Sequence, residues 1–143
     1  MRWTRFSSSF SSTRQSVVQP PHSTSSSPRR VLVVDDDKEI REVLVELLAQ
    51  EGYEVSAACN GQQALTKVLI HWPDVVLLDL VMPVMNGWQF LDLRLAYPVL
   101  DHVPVIVTSA VDCSLDVAAV VPKPFLLDAM LEAVRGVAGP PVR

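Results

Sequence analysis

The sequence predicts an α/β domain in which five parallel strands form a doubly wound sheet with helices on both faces. Three observations carry that prediction. Strand-like and helix-like patterns alternate from residue 31 to residue 137. The strand candidates include uninterrupted apolar runs, above all Val75-Val76-Leu77-Leu78, of the kind buried on both faces of a parallel sheet. Several runs end in polar residues, namely Asp35-Asp36-Asp37, Asp79 and Ser109. Open α/β sheets bind ligands at that position, outside the carboxyl ends of their strands.

The elements follow in order. Residues 31–34 form the first strand. Ile40, Val43, Leu44, Leu47 and Leu48 then give the i, i+3, i+4, i+7, i+8 stripe of an amphipathic helix, with Asp37 as its N-cap and Gly52 just past its end. Residues 53–57 alternate as a short strand. Asn60-Gly61 turns the chain into a second helix striped by Ala64, Leu65, Val68 and Leu69, which stops before Pro73-Asp74. The apolar strand 75–78 and a loop over 79–87 lead to a third helix over about 87–97, with Trp88, Leu91 and Leu95 on one side and Pro98 as its stop. Residues 105–108 form a fourth strand and 119–121 a weaker fifth. A last helix over about 125–136 carries Leu127, Met130, Leu131 and Val134.

Charge divides the chain. Residues 1–30 hold five Arg, ten Ser and no acid, and read as a disordered Ser/Arg-rich tail. Residues 31–143 hold 7 Lys+Arg against 16 Asp+Glu, an acidic body that gives no reason to expect nucleic-acid binding. Residues 138–143 read as a frayed end. No apolar run approaches the ~20 residues of a membrane-spanning helix, so no membrane partner is expected. Cys59 and Cys113 have no metal-like spacing and read as reduced thiols of a cytoplasmic protein. The scattered His22, His71 and His102 suggest no site.

Neighbouring parallel strands bring the acids after strands one and three to one edge. Clustered carboxylates repel one another and call for a cation, and Mg²⁺ prefers oxygen ligands. The residues therefore point to a Mg²⁺ site beside a nucleophilic Asp79.

Four motifs occur in order: VLVVDDD, LLDLVMPVMNG, PVIVTSA and KPF. In combination they resemble the receiver domain of response regulators in two-component signalling, over about residues 30–137. The resemblance implies a flavodoxin-like fold and a phosphoryl-accepting Asp79. It implies Mg²⁺ held by Asp35, Asp36, Asp79 and the Val81 carbonyl, Ser109 as a switch hydroxyl, Lys123 as a phosphate-binding lysine, and a Lys123–Pro124 cis bond. The partners it implies are a sensor histidine kinase or a histidine phosphotransfer protein, together with a downstream protein whose affinity changes. Thr108 is the competing hydroxyl; strand alternation and the following Ala110 favour Ser109.

Two departures stand out. Only fourteen steps separate Ser109 from Lys123, short for a parallel crossover. The helix between strands four and five, helix four of the family, is therefore expected to be shortened or missing, and the family's aromatic switch position falls near Val120. Val81 and Val111 occupy the side-chain positions that influence loss of the phosphoryl group; neither can orient a water, so slow self-dephosphorylation is expected. The chain reads as a stand-alone receiver, not an enzyme. Two alternatives stay open. One is a phosphorylation-independent docking module. The other is a phosphatase of the haloacid-dehalogenase type, which wants a second acid where this chain has Val81.

Overall fold

The computed structural model describes residues 28–109 and 115–141. Five strands, β1 (Arg30–Val34), β2 (Glu54–Ala58), β3 (Val75–Asp79), β4 (Val105–Ser109) and β5 (Ala119–Pro122), form one parallel sheet in the order β2-β1-β3-β4-β5. Four helices accompany them among the described residues: α1 (Lys38–Gln50), α2 (Gly61–His71), α3 (Gly87–Asp92) and α4 (Leu127–Ala138). This is the doubly wound, flavodoxin-like arrangement, and its strand order reverses direction between β1 and β3. None of the helices is long and apolar enough to cross a membrane.

Alternation along each strand divides the core in two. Leu32, Val34, Val76, Leu78, Val105 and Val107 face α2 and α3, meeting Ala64, Val68, Phe90 and Leu91. Val31, Val33, Val75, Leu77, Ile106 and Val121 face α1 and α4, meeting Leu44, Leu48, Met130, Leu131 and Val134. β3 is buried along its whole length, as its unbroken apolar run requires.

Local chemistry sets the helix starts. The Asp37 carboxylate accepts from the amides of Glu39 and Ile40, capping α1 as the sequence suggests, and Gly52 takes the left-handed conformation just past its end, φ 106°. Asn60 caps α2. Asn86 and Gln89 close a reciprocal capping box on α3.

Four expectations shift. The third helix ends at Asp92, not near 97, and the chain continues as 3-10 turns over Leu93–Leu95 and Pro98–His102. Tyr97 precedes Pro98, and proline disfavours helical geometry in the residue before it. The Trp88–Leu91–Leu95 stripe accordingly fails: Phe90 and Leu91 enter the core while Leu95 is 90% exposed. The last helix starts two residues later than expected, and its end is anchored, because the Tyr53 hydroxyl donates to the Gly139 carbonyl at 2.9 Å. At the other end, the sheet begins at Arg30, whose amide donates to Asp74. Between β4 and β5, the described residues 115–118 contain no helix. Leu115 and Val117 pack directly on the core there, and Arg94 holds the Asp116 carbonyl at 3.3 Å.

Candidate functional site

The strand reversal opens a crevice at the carboxyl ends of β1 and β3, and the acids meet there. Asp35 and Asp36 follow β1, and Asp79 ends β3. Oxygens of the three carboxylates lie within 4.8 Å of one another. Asp35 and Asp79 are buried, whereas Asp36 is exposed. Lys123, the residue after β5, reaches across to them. Its Nζ lies 2.9 Å from Asp35 Oδ2 and 3.5 Å from Asp79 Oδ1. The Lys123–Pro124 bond is cis, as the resemblance implied.

The surroundings fix each group. Asp35 Oδ1 accepts the Asp37 amide at 2.9 Å, and the Asp35 carbonyl accepts from Arg41 Nη1 at 2.7 Å. Gly87 packs so tightly on β3 that a Cβ there would sit 2.5 Å from the Asp79 carbonyl oxygen and 2.7 Å from Leu80 Cα. Its amide also donates to the Leu80 carbonyl at 2.9 Å, which ties the start of α3 to the residue after Asp79. The glycine of the Asn-Gly pair is thus demanded by close approach.

Burial pushes the Asp79 carboxyl up to about 6, and the Asp35 charge adds to the rise; Lys123 and the Val81 amide oppose it, while a hydrogen bond with Asp36 favours the protonated form. Burial pulls Lys123 down, but the hydrogen bond to Asp35 and the charges of Asp35 and Asp79 outweigh it and leave the ammonium raised. The lysine sits closer to Asp35 than to Asp79, so Asp79 keeps more of its electrostatic penalty.

The donor set suits a hard divalent cation: three carboxylates, oxygen atoms only, from two adjacent strands. One lysine against three carboxylates leaves the cluster with excess negative charge, while the upward push on Asp79 comes first from burial and second from the Asp35 charge.

Of the residues the sequence singled out, Asp35, Asp36, Asp79 and Lys123 come together at this edge. Val81 lies two residues past β3; its amide bonds Asp79, and its apolar side chain is 63% exposed. Ser109 is buried at the end of β4, and its carbonyl accepts the Lys123 amide at 2.7 Å. The register sets Thr108, not Ser109, directly opposite Asp79, so alternation puts the two hydroxyls on different faces. Val111 and Cys113 lie outside the described residues. Sequence reasoning missed Arg41, although a cation in the first turn of a helix opposes the dipole and so hints at a dedicated partner.

Fold and site together define a class, the CheY-like α/β receiver. The chain belongs to the response regulator receiver domain family, whose model matches residues 31–135. It is 37% identical over 114 residues to the response regulator MprA of Mycolicibacterium vanbaalenii, a match covering 74% of this chain and 48% of that protein. The chain thus spans about half the length of the curated relatives it matches. Among solved structures it is similar to the chemotaxis protein CheY4 of Vibrio cholerae, with 28% identity and a TM-score of 0.71 over 78% of this chain and 99% of that one. A putative response regulator from Chloroflexus aurantiacus gives the same TM-score at 26% identity, over 78% of this chain and 98% of that one.

Proposed function

We propose that this receiver accepts a phosphoryl group on Asp79 from the phosphohistidine of a sensor histidine kinase or histidine phosphotransfer protein, and signals in the cytoplasm by a changed affinity for a downstream protein. The single observation that carries the reading is the buried Asp79 carboxylate flanked by Asp35, Asp36 and the Lys123 ammonium at the strand-reversal crevice. The chemistry is one displacement at phosphorus. A carboxylate oxygen of Asp79 forms the new P–O bond, the P–N bond breaks, and the imidazole leaves with its electron pair. The chain turns over no substrate of its own.

Each residue has a part. Asp79 is the nucleophile, held in place by the Val81 amide and the Gly87 contact. Asp35, Asp36, Asp79 and the Val81 carbonyl would hold Mg²⁺, which when bound offsets the charge between carboxylate and phosphoryl oxygens. Lys123 already spans Asp35 and Asp79 and follows the new charge onto the phosphoryl oxygens. Ser109 supplies a hydroxyl to one of those oxygens and, through its carbonyl bond to the Lys123 amide, links β4 to the lysine's backbone. The added charge then biases a two-state equilibrium of the surrounding loops.

A second reading has one observation in its favour. Leu115 and Val117, in the non-helical described residues 115–118 before β5, pack directly on the core, and this segment could serve as a fixed docking face without phosphorylation.

The test is incubation with acetyl phosphate and Mg²⁺, then removal of the donor and treatment with hydroxylamine. The proposal expects one added phosphoryl group that hydroxylamine removes, as an acyl phosphate requires and a serine ester does not. It also expects persistence for minutes or longer before treatment, because the exposed Val81 side chain cannot orient a hydrolytic water. A hydroxylamine-resistant adduct contradicts the assignment to Asp79, and a lifetime of seconds contradicts the role given to Val81.

A further inference from the structure

Three acids carry the chain from β1 into α1. The Asp35 amide donates to the Ala58 carbonyl at 3.1 Å, which continues the pairing with β2. Asp35 Oδ1 accepts the Asp37 amide at 2.9 Å and closes a tight turn from the inside. Asp37 in turn caps α1 through the amides of Glu39 and Ile40. A further tie comes from outside the turn. Arg41, in the first turn of α1, folds back and donates from Nη1 to the Asp35 carbonyl at 2.7 Å. A cation there works against the helix dipole, so helix stability alone does not account for it. Its partner is a backbone oxygen, although carboxylates crowd this end of the sheet; the ion pairs of the cluster run to Lys123 instead. The consequence falls on Asp36. The Asp35 carbonyl and the Asp36 amide belong to one planar peptide unit, so a donor that fixes the oxygen fixes the plane from which the Asp36 side chain departs. Asp35 and Asp79 are buried and oriented by packing, whereas Asp36 is exposed. Asp36 nevertheless hydrogen-bonds Asp79 and brings an oxygen within 4.8 Å of the other two carboxylates.

We propose that Arg41 is a positioning residue for the cation site: by holding the Asp35 carbonyl, it aims the Asp36 carboxylate at the point where the three acids converge. The inference deepens the proposed phosphoacceptor reading, on which it rests for the cation. Charge and positioning predict opposite signs when Arg41 is removed. Loss of a positive charge beside an acidic site favours an incoming cation. Loss of a group that orients a ligand weakens metal binding, typically by ten- to a hundredfold.

Titration of the full chain with Mn²⁺, which accepts the same oxygen ligands, separates the two without any phosphoryl donor. Free Mn²⁺ is read by electron paramagnetic resonance. Arg41→Met keeps the length of the side chain and removes its donors; the dissociation constant should rise about tenfold. Urea unfolding without divalent cations confirms that the variant is folded where it is titrated. Unchanged or tighter binding overturns the proposal. Asp36→Asn supplies the second comparison. With that carboxylate gone, adding Arg41→Met should cost less than about threefold, because the two residues act as one unit. A further full tenfold loss would overturn the route through Asp36. If Arg41→Met does not fold, Arg41→Gln takes its place, with the same outcomes deciding. A chain that binds no Mn²⁺ at millimolar concentration overturns the inference together with the cation part of the proposed function. A chain that binds Mn²⁺ but takes up no phosphoryl group refutes the phosphoacceptor reading alone, and the Mn²⁺ constants still decide this one.

Discussion

Asp79 meets two opposing demands. As a nucleophile it has to be ionised, yet burial and the neighbouring Asp35 favour its protonated form and push its pKa to about 6. The folded state binds this proton more tightly than the unfolded chain does, so ionisation destabilises the fold as pH rises from about 4 to about 6, and the full penalty persists above that. Replacing Asp79 with Asn removes the penalty. Urea unfolding of Asp79→Asn at pH 7 without divalent cations should therefore show a gain on the order of 1–3 kcal/mol over the unmodified chain, shrinking toward zero near pH 4. A less stable variant at pH 7 would show that Asp79 is already satisfied by its neighbours. Asp35, Asp36, Asp79 and Lys123 were legible in the sequence because each directly follows or ends an apolar strand. Thr108's place beside Asp79 was not, because register between strands distant in the chain is not written in local periodicity.

At the scale of elements, the loop from β3 to α3 shows how the acceptor is held. Val84 sits in it at φ 67°, a left-handed conformation that a β-branched residue adopts only under strain, and its side chain is 74% exposed with no core to fill. The Met85 amide donates to the Pro83 carbonyl at 2.7 Å and closes the turn around it. Val84→Gly should raise stability by about 0.5–1 kcal/mol, after allowing for the extra freedom of glycine in the unfolded chain. Gly87→Ala should do the reverse and lower it by about 2 kcal/mol or more, because its Cβ has backbone atoms in the way. Urea midpoints of the two variants check both signs; a neutral Gly87→Ala would mean that the β3–α3 junction gives easily. The capped start of α1 was visible as Asp37, whereas Asn60 read as a turn residue and Asn86 as part of a loop, and both prove to be caps. The end of α3 was misread because spacing suggested a continuing stripe, while Pro98 acts back on Tyr97 and the chain settles into 3-10 turns. The short link between β4 and β5 was foreseen from length alone. Among the described residues, the packing of Leu115 and Val117 on the core with Arg94 holding Asp116 was not, since the bond from Arg94 to the Asp116 carbonyl joins residues more than twenty apart.

For the whole molecule, the sheet order decides where the chemistry sits. A reversal between β1 and β3 gathers acids from two strands into one crevice, and β5 delivers a lysine to the same edge. Side chains from three separate strands thus form one charged cluster on a rigid core, an arrangement suited to a covalent switch. The acidic balance of residues 31–143 leaves this edge attractive to cations. Whether the cluster makes Asp79 a phosphoryl acceptor is read from intact mass after incubation with acetyl phosphate, with and without Mg²⁺ and alongside Asp79→Asn. The expected result is a gain of one phosphoryl group that requires Mg²⁺ and disappears in the variant. A folded chain that gains nothing under any of these conditions would contradict it and favour the fixed docking module.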